Sequence, residues 1–153
     1  MQYINELFGN YMLVSAGIGW FGAQLIKVFT GMFRDRKFNL FVFLFSNGGM
    51  PSSHSAVVCG LLTASIIQNG FGSGLTAICL IVAMIVMIDA LGVRYQTGEQ
   101  SKIINQIVKE IFSGSPEKVN TGLKELVGHT PFQVLVGAIF GIAVAIAMKF
   151  VML

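Results

Sequence analysis

Apolar runs separated by short polar joints set the architecture of this chain. Four runs approach the ~20 apolar residues that a bilayer crossing needs; they cover about 11–33, 53–69, 75–93 and 131–153. The second is the shortest and is expected to tilt little or to begin in a local depression of the bilayer. Asn69-Gly-Phe-Gly-Ser-Gly74 is a turn signal joining the second run to the third. Two further pieces are too short or too polar to span. Phe38 to Ser46 carries four phenylalanines and reads as an interfacial or re-entrant element. Glu99 to Phe112 sets Ile103, Ile104, Ile107, Val108, Ile111 and Phe112 along one helical stripe, with Lys102, Asn105, Gln106, Lys109 and Glu110 opposite. Such a helix lies on a membrane surface. Ser113-Gly-Ser-Pro116 ends it, and a short helix over about 116–127 leads to Gly128 and His129. There is no internal repeat. The expectation is an all-α fold in one domain, residues 1–153. It is a polytopic membrane bundle of about four transmembrane helices with an amphipathic segment over 99–127.

Composition supports the membrane setting. Of 153 residues, 54% are hydrophobic and 11% charged, with mean hydropathy +0.75; soluble domains carry about 25% charged residues. The N-terminus lacks the basic n-region of a cleaved signal, so the first run is expected to be retained. The net charge of +3 does not imply nucleic acid, because positive loops are normal for membrane proteins. Cys59 and Cys79 lie in apolar stretches without ligand-like spacing and read as small buried hydrophobes.

Folding the runs back and forth brings the polar residues to one end. If the first ends near Arg34, the second starts on the same membrane face at Ser52 to His54. The third returns there at Asp89 to Arg94, and the fourth leaves from His129. Lys27, Arg34, Ser52, Ser53, His54, Asp89, Arg94, Lys124 and His129 then converge. Lys27 and Arg34 are seven apart, so they share a helix face about 10 Å apart along its axis. Of the ten Lys and Arg residues, all but Lys149 belong to this face. The positive-inside rule places it in the cytoplasm, with both termini outside.

Gly48-Gly-Met-Pro-Ser-Ser-His-Ser-Ala56 lies where a polar loop becomes an apolar helix. Pro51 cannot donate a backbone hydrogen bond and suits a helix entrance, Ser52 and Ser53 are good caps, and the glycines let backbone approach a ligand. Free first-turn N–H groups and hydroxyls beside a histidine make an anion site best suited to phosphate.

These residues resemble the type 2 phosphatidic acid phosphatases and vanadium haloperoxidases, whose motifs are Lys-x6-Arg-Pro, Pro-Ser-Gly-His and Ser-Arg-x5-His-x3-Asp. This chain offers Lys27-x6-Arg34, Pro51-Ser52-Ser53-His54 and His129-x3-Gln133. Together with Asp89-Ala-Leu-Gly-Val-Arg94 and Leu123-Lys-Glu-Leu-Val-Gly-His-Thr-Pro131, they are similar to the divergent branch called acid phosphatase/vanadium-dependent haloperoxidase-related. The resemblance runs from about Gln24 to Gly141. It implies a cofactor-free, metal-independent phosphomonoesterase that passes through a phosphohistidine. His129 would attack phosphorus and His54 would protonate the leaving alkoxide. Lys27, Arg34 and Arg94 would neutralise the equatorial oxygens, helped by the Ser52 hydroxyl and the Ser53 N–H. Phosphoryl transfer needs positioning and positive potential above all, and histidine supplies nucleophile and acid near neutral pH.

The pattern departs from the superfamily at four points. Asp35 replaces the proline after Arg34, and Ser53 replaces glycine. Leu123 and Lys124 occupy the region of the missing Ser-Arg pair, so Arg94 or Lys124 must supply a cation. Gln133 stands where a carboxylate would orient the nucleophilic imidazole. In a serine protease, loss of the equivalent charge lowers turnover by about 10⁴. Asp89 or Glu125 could substitute for it. A structural alternative is open: Thr130-Pro-Phe-Gln133 fits a capping box with proline at the first helical position. Asp89 is costly in an apolar run unless paired, and a structural partnership with Lys27 or Arg94 competes with catalysis. Gly137-Ala-Ile-Phe-Gly141 permits close helix packing, within one chain or across a homodimer.

The sequence is compatible with three functions. The first is a membrane phosphatase for lipid or isoprenoid phosphates. The second is an inactive relative that binds phospholipid headgroups. The third is a metal-assisted enzyme using Asp35, Asp89 or Glu99. Four short spans without a broken-helix pair leave little room for a transporter.

Overall fold

A computed structural model describes residues 1–35, 50–111 and 130–153; the side chains of 31–35, 93–95, 97–99 and 109–110 fall outside that description. Among the described residues the fold is all-helical: α1 (Gln2–Phe8), α2 (Tyr11–Asp35), α3 (Ser53–Asn69), α4 (Gly74–Leu91), α5 (Val93–Ile111) and α6 (Pro131–Met152). The expected elements at 38–46 and 116–127 lie outside the described residues.

Short polar residues start four of the described helices, α2, α3, α4 and α6. Asn10 accepts from the Leu13 amide at 3.0 Å and opens α2. Ser52 and Ser73 do the same for α3 and α4, accepting from Ser55 and Leu75. Each side-chain oxygen satisfies a first-turn donor that has no acceptor inside its own helix. Gly70 ends α3 at φ 77°, a conformation that suits a residue without Cβ. The tight turn after it is held by Thr76, whose hydroxyl donates to the Gly70 carbonyl at 2.8 Å and pairs with Ser65 at 2.9 Å.

Helix α3 is the central element, packed against α2, α4 and α6. Its buried face is made of Ser53, Ser55, Ala56, Val58, Cys59, Gly60, Ala64 and Ser65, nearly all small. Small residues let helix backbones approach, the usual basis of packing in lipid, where burying apolar side chains brings no hydrophobic gain. The approach is closest to α6. A Cβ added at Gly141 would meet the Ala56 carbonyl oxygen, and one at Gly137 would meet that of Ser52. This glycine pair therefore packs inside the chain. Large apolar side chains point the other way: Ile78, Ile85, Ile88 and Phe150 are all exposed. A core of small residues beneath a surface of isoleucine and phenylalanine is the arrangement lipid favours.

Three described helices are long and apolar enough to cross a bilayer, Tyr11–Thr30, Gly74–Leu91 and Pro131–Met152. The run expected as the second span forms α3, but with 17 residues it is shorter and is sheathed by its neighbours. Two boundaries differ from the sequence expectation. The third run stops at Leu91, where the Gly92 amide donates to Ile88 at 2.8 Å. The amphipathic helix begins at Val93 rather than Glu99, because polar residues such as Arg94 and Thr97 continue a helix that apolar periodicity alone does not reveal. Helix α1 was not expected at all.

Crowding at Gly141 makes a direct test. Gly141→Ala should lower stability in detergent by about 1–3 kcal/mol through overpacking, whereas Gly17→Ala, whose Cβ would meet nothing within 4 Å, should not. Equal thermal midpoints for the two variants would contradict the packing described.

Candidate functional site

The site grows from the entrance of α3. Ser52 is fully buried, and its hydroxyl oxygen accepts both the Ser55 amide at 3.3 Å and the Ser55 hydroxyl at 3.0 Å. Its own amide donates to the Gln133 carbonyl at 3.1 Å. That bond ties the first turn of α6 to the first turn of α3, so both positive helix ends lie at one end of the bundle.

Lys27 reaches this point from α2. It is 9% exposed, and its Nζ donates to the Ser53 Oγ at 3.2 Å. An ammonium inside an apolar helix is costly and persists where it has a defined purpose. Here it adds a full positive charge to the partial charge of the α3 N-terminus, and Ser53, 2% exposed, lies against it. Burial lowers the effective dielectric and strengthens any attraction to an oxyanion. Gln24, one turn before Lys27 on the same face, is also buried.

His54 follows Ser53 in α3 and is half-buried, as is Asp89 near the end of α4. The two line one cleft of about 190 Å³ together with Ile85, Val86 and Ala90. An imidazole and a carboxylate in a cleft walled by aliphatic side chains can serve acid–base chemistry. Lys27, Ser52, Ser53, His54 and Asp89 are thus gathered from three helices to one end of the bundle.

Gln133 is engaged in structure. Its Oε1 accepts from the Thr130 amide at 3.2 Å, and its own amide donates to the Thr130 hydroxyl at 3.4 Å, closing a capping box with Pro131 at the first helical position. Of the two roles left open for this residue, the capping role is present. Arg34 and Arg94 lie within α2 and α5, but their side chains fall outside the description; Lys124 and His129 lie outside the described residues altogether. Cys59 and Cys79 are buried free thiols, with Cys59 Sγ against Met87 Sδ at 3.6 Å. Among the described residues no three His, Cys, Asp or Glu side chains gather in a way that could hold a metal ion.

Sequence reasoning missed Gln24 and Ser55. Gln24 was detectable as a lone amide three residues before Lys27 in an apolar run. Ser55 offered no signal beyond its place in a serine-rich helix start.

Comparison with known proteins adds a family. Residues 8–144 match the family model described as "Divergent PAP2 family". The chain is 36% identical over 155 residues to "Uncharacterized membrane protein YuiD" of Bacillus subtilis (strain 168), an alignment covering 95% of this chain and 98% of that protein. No solved structure matches this chain. With its apolar helices, the chain is an integral membrane protein.

The Lys27–Ser53 contact predicts oxyanion affinity. Orthovanadate binding, read as thermal stabilisation in detergent, should weaken in Lys27→Met by roughly 10–100-fold, the equivalent of about 1.5–3 kcal/mol for one charge-assisted hydrogen bond. Lys149→Met, in the last turn of α6, should bind as the native chain does. Equal weakening in both would show that only overall charge matters.

Proposed function

The chain belongs to the divergent PAP2 family, and on that premise we propose that it is a membrane-embedded phosphatase for a lipid or isoprenoid phosphate. The observation that carries this reading is the buried Lys27 ammonium on Ser53, at the start of the helix that bears His54. A phosphate seated there meets the ammonium, the first-turn amides of α3 and the His54 imidazole. The apolar flanks of α2 and α4 suit a substrate whose tail stays in the bilayer.

The reaction has two steps. The His129 imidazole attacks phosphorus, forming a P–N bond as the ester P–O bond breaks, and His54 gives its proton to the departing alkoxide. Water, deprotonated by the now neutral His54, then attacks phosphorus and cleaves the P–N bond, releasing inorganic phosphate and restoring both imidazoles. Lys27 and the helix end offset the charge on the equatorial oxygens throughout. Chain connectivity supports the placement of the nucleophile: His129 directly precedes Thr130, the cap of the helix whose first turn is bonded to Ser52. Successive Cα atoms are about 3.8 Å apart. Arg34, Arg94 and Lys124 are the candidates for further cations. The distribution of Lys and Arg favours a cytoplasmic active face with both termini outside.

One observation favours a second reading. The Gln133 carboxamide is committed to the Thr130 cap and brings no charge, so a chain that binds phosphorylated headgroups without turnover is the alternative. Phosphate release from a panel of lipid phosphates separates the two. The native chain should release inorganic phosphate and His129→Ala should lose at least about 10³-fold of that rate. Gln133→Glu should match or exceed the native rate. Equal rates for the native chain and His129→Ala would remove the nucleophile, and headgroup binding with no release from any substrate would favour the binding protein.

A further inference from the structure

Helix α5 is amphipathic in an unusual sense, because the face it turns towards the rest of the chain is its more polar one. Ser101, Asn105 and Val108 are half-buried, while Ile103, Ile104, Ile107 and Ile111 are exposed, at 58%, 44%, 47% and 69%. At 100° per residue the four isoleucines form one stripe about 100° wide. The exposed side chains of Gln106 and Lys102 lie about 60° and 100° beyond its Ile103 edge, and the half-buried residues lie beyond the other edge. Among the described residues α5 packs only on α4. A row of isoleucines facing water would be a liability, so something apolar covers it.

We infer that the isoleucine stripe of α5 is seated in the lipid boundary of the bilayer, with Lys102 and Gln106 at the headgroup and water side. Continuity selects this occupant. Only Gly92 separates α5 from α4, a helix with the length and hydropathy of a membrane span, so α5 starts where that span leaves the hydrocarbon. An amphipathic helix tethered there meets lipid before any other partner, and its lysine suits anionic headgroups. The same seating accounts for the polar inward face. With the isoleucines held by lipid, Ser101 and Asn105 are left to line the protein side.

Spin labels measure this on the full chain in vesicles of phosphatidylethanolamine and phosphatidylglycerol. Cys59→Ala and Cys79→Ala remove the native thiols, and single labels are placed by Ile103→Cys, Ile107→Cys, Ile111→Cys, Lys102→Cys and Gln106→Cys. Labels at 103, 107 and 111 should collide with oxygen several-fold more readily than with a water-soluble nickel complex, and labels at 102 and 106 should show the reverse. Nickel access at 103 and 107 would mean that the stripe faces water. Labels at 103 and 107 that are immobile and shielded from both reagents would mean protein contact, as with a second copy. Either result overturns the inference. None of these readouts depends on turnover, so failure of the phosphatase reading would leave them unchanged.

Discussion

The bond from the Ser52 amide to the Gln133 carbonyl, made possible by the missing side chain at Gly137, is the constraint on which the rest of the structure depends. Within a bilayer, a backbone group without a partner costs several kcal/mol. A helix that starts among other helices must therefore find partners for its first amides from protein. Here the partners are the Ser52 hydroxyl and the first turn of α6. Once they are made, α3 can neither slide nor rotate against α6 without burying unpaired polar groups. Gly137 and Gly141 hold the two helices closer than any side chain would allow. The capping box of Thr130 and Gln133 is the other half of this joint, since it shapes the turn that offers the carbonyl.

That rigid joint gives the polar residues their placement. Ser53 and His54 are fixed by their positions in the first turn of α3, and Lys27 comes to Ser53 across the α2–α3 contact. Positive charge, helix-end amides and an imidazole are therefore carried at the same end of the bundle. Preorganisation of such groups counts most in a site shielded from water, where the partners need not reorient as charge develops. The cleft that His54 and Asp89 share is lined otherwise by α4 residues, and neither Gln133 nor Thr130 lines it. On the proposed phosphatase reading, Asp89 beside His54 supplies a carboxylate to the acid imidazole while position 133 carries no charge.

Much of this was legible in the sequence, and the limits are physical. Helix starts were readable because Ser52 and Thr130-Pro-Phe-Gln133 carry their own chemistry. The convergence of Lys27, Ser53, His54 and Asp89 followed from counting spans. The sheathing of α3 was not legible, because hydropathy reports how apolar a run is and not which neighbour covers it. Serine and alanine at 55, 56, 64 and 65 hinted at close packing only in retrospect. The early start of α5 escaped because Arg94, Thr97 and Gly98 break the apolar period while leaving the backbone free to continue. Nor could sequence decide between the two roles of Gln133; the hydrogen bonds to Thr130 show the cap.

The most direct measurement is an experimental structure of the chain in a lipid nanodisc with orthovanadate. The expected result is one vanadate at the entrance of α3, within hydrogen-bond distance of Lys27 Nζ and the Ser53 amide, with the His54 and His129 imidazoles on opposite sides of the metal oxyanion. Vanadate absent from that position at saturating concentration, or His54 and His129 opening onto opposite leaflets, would contradict it.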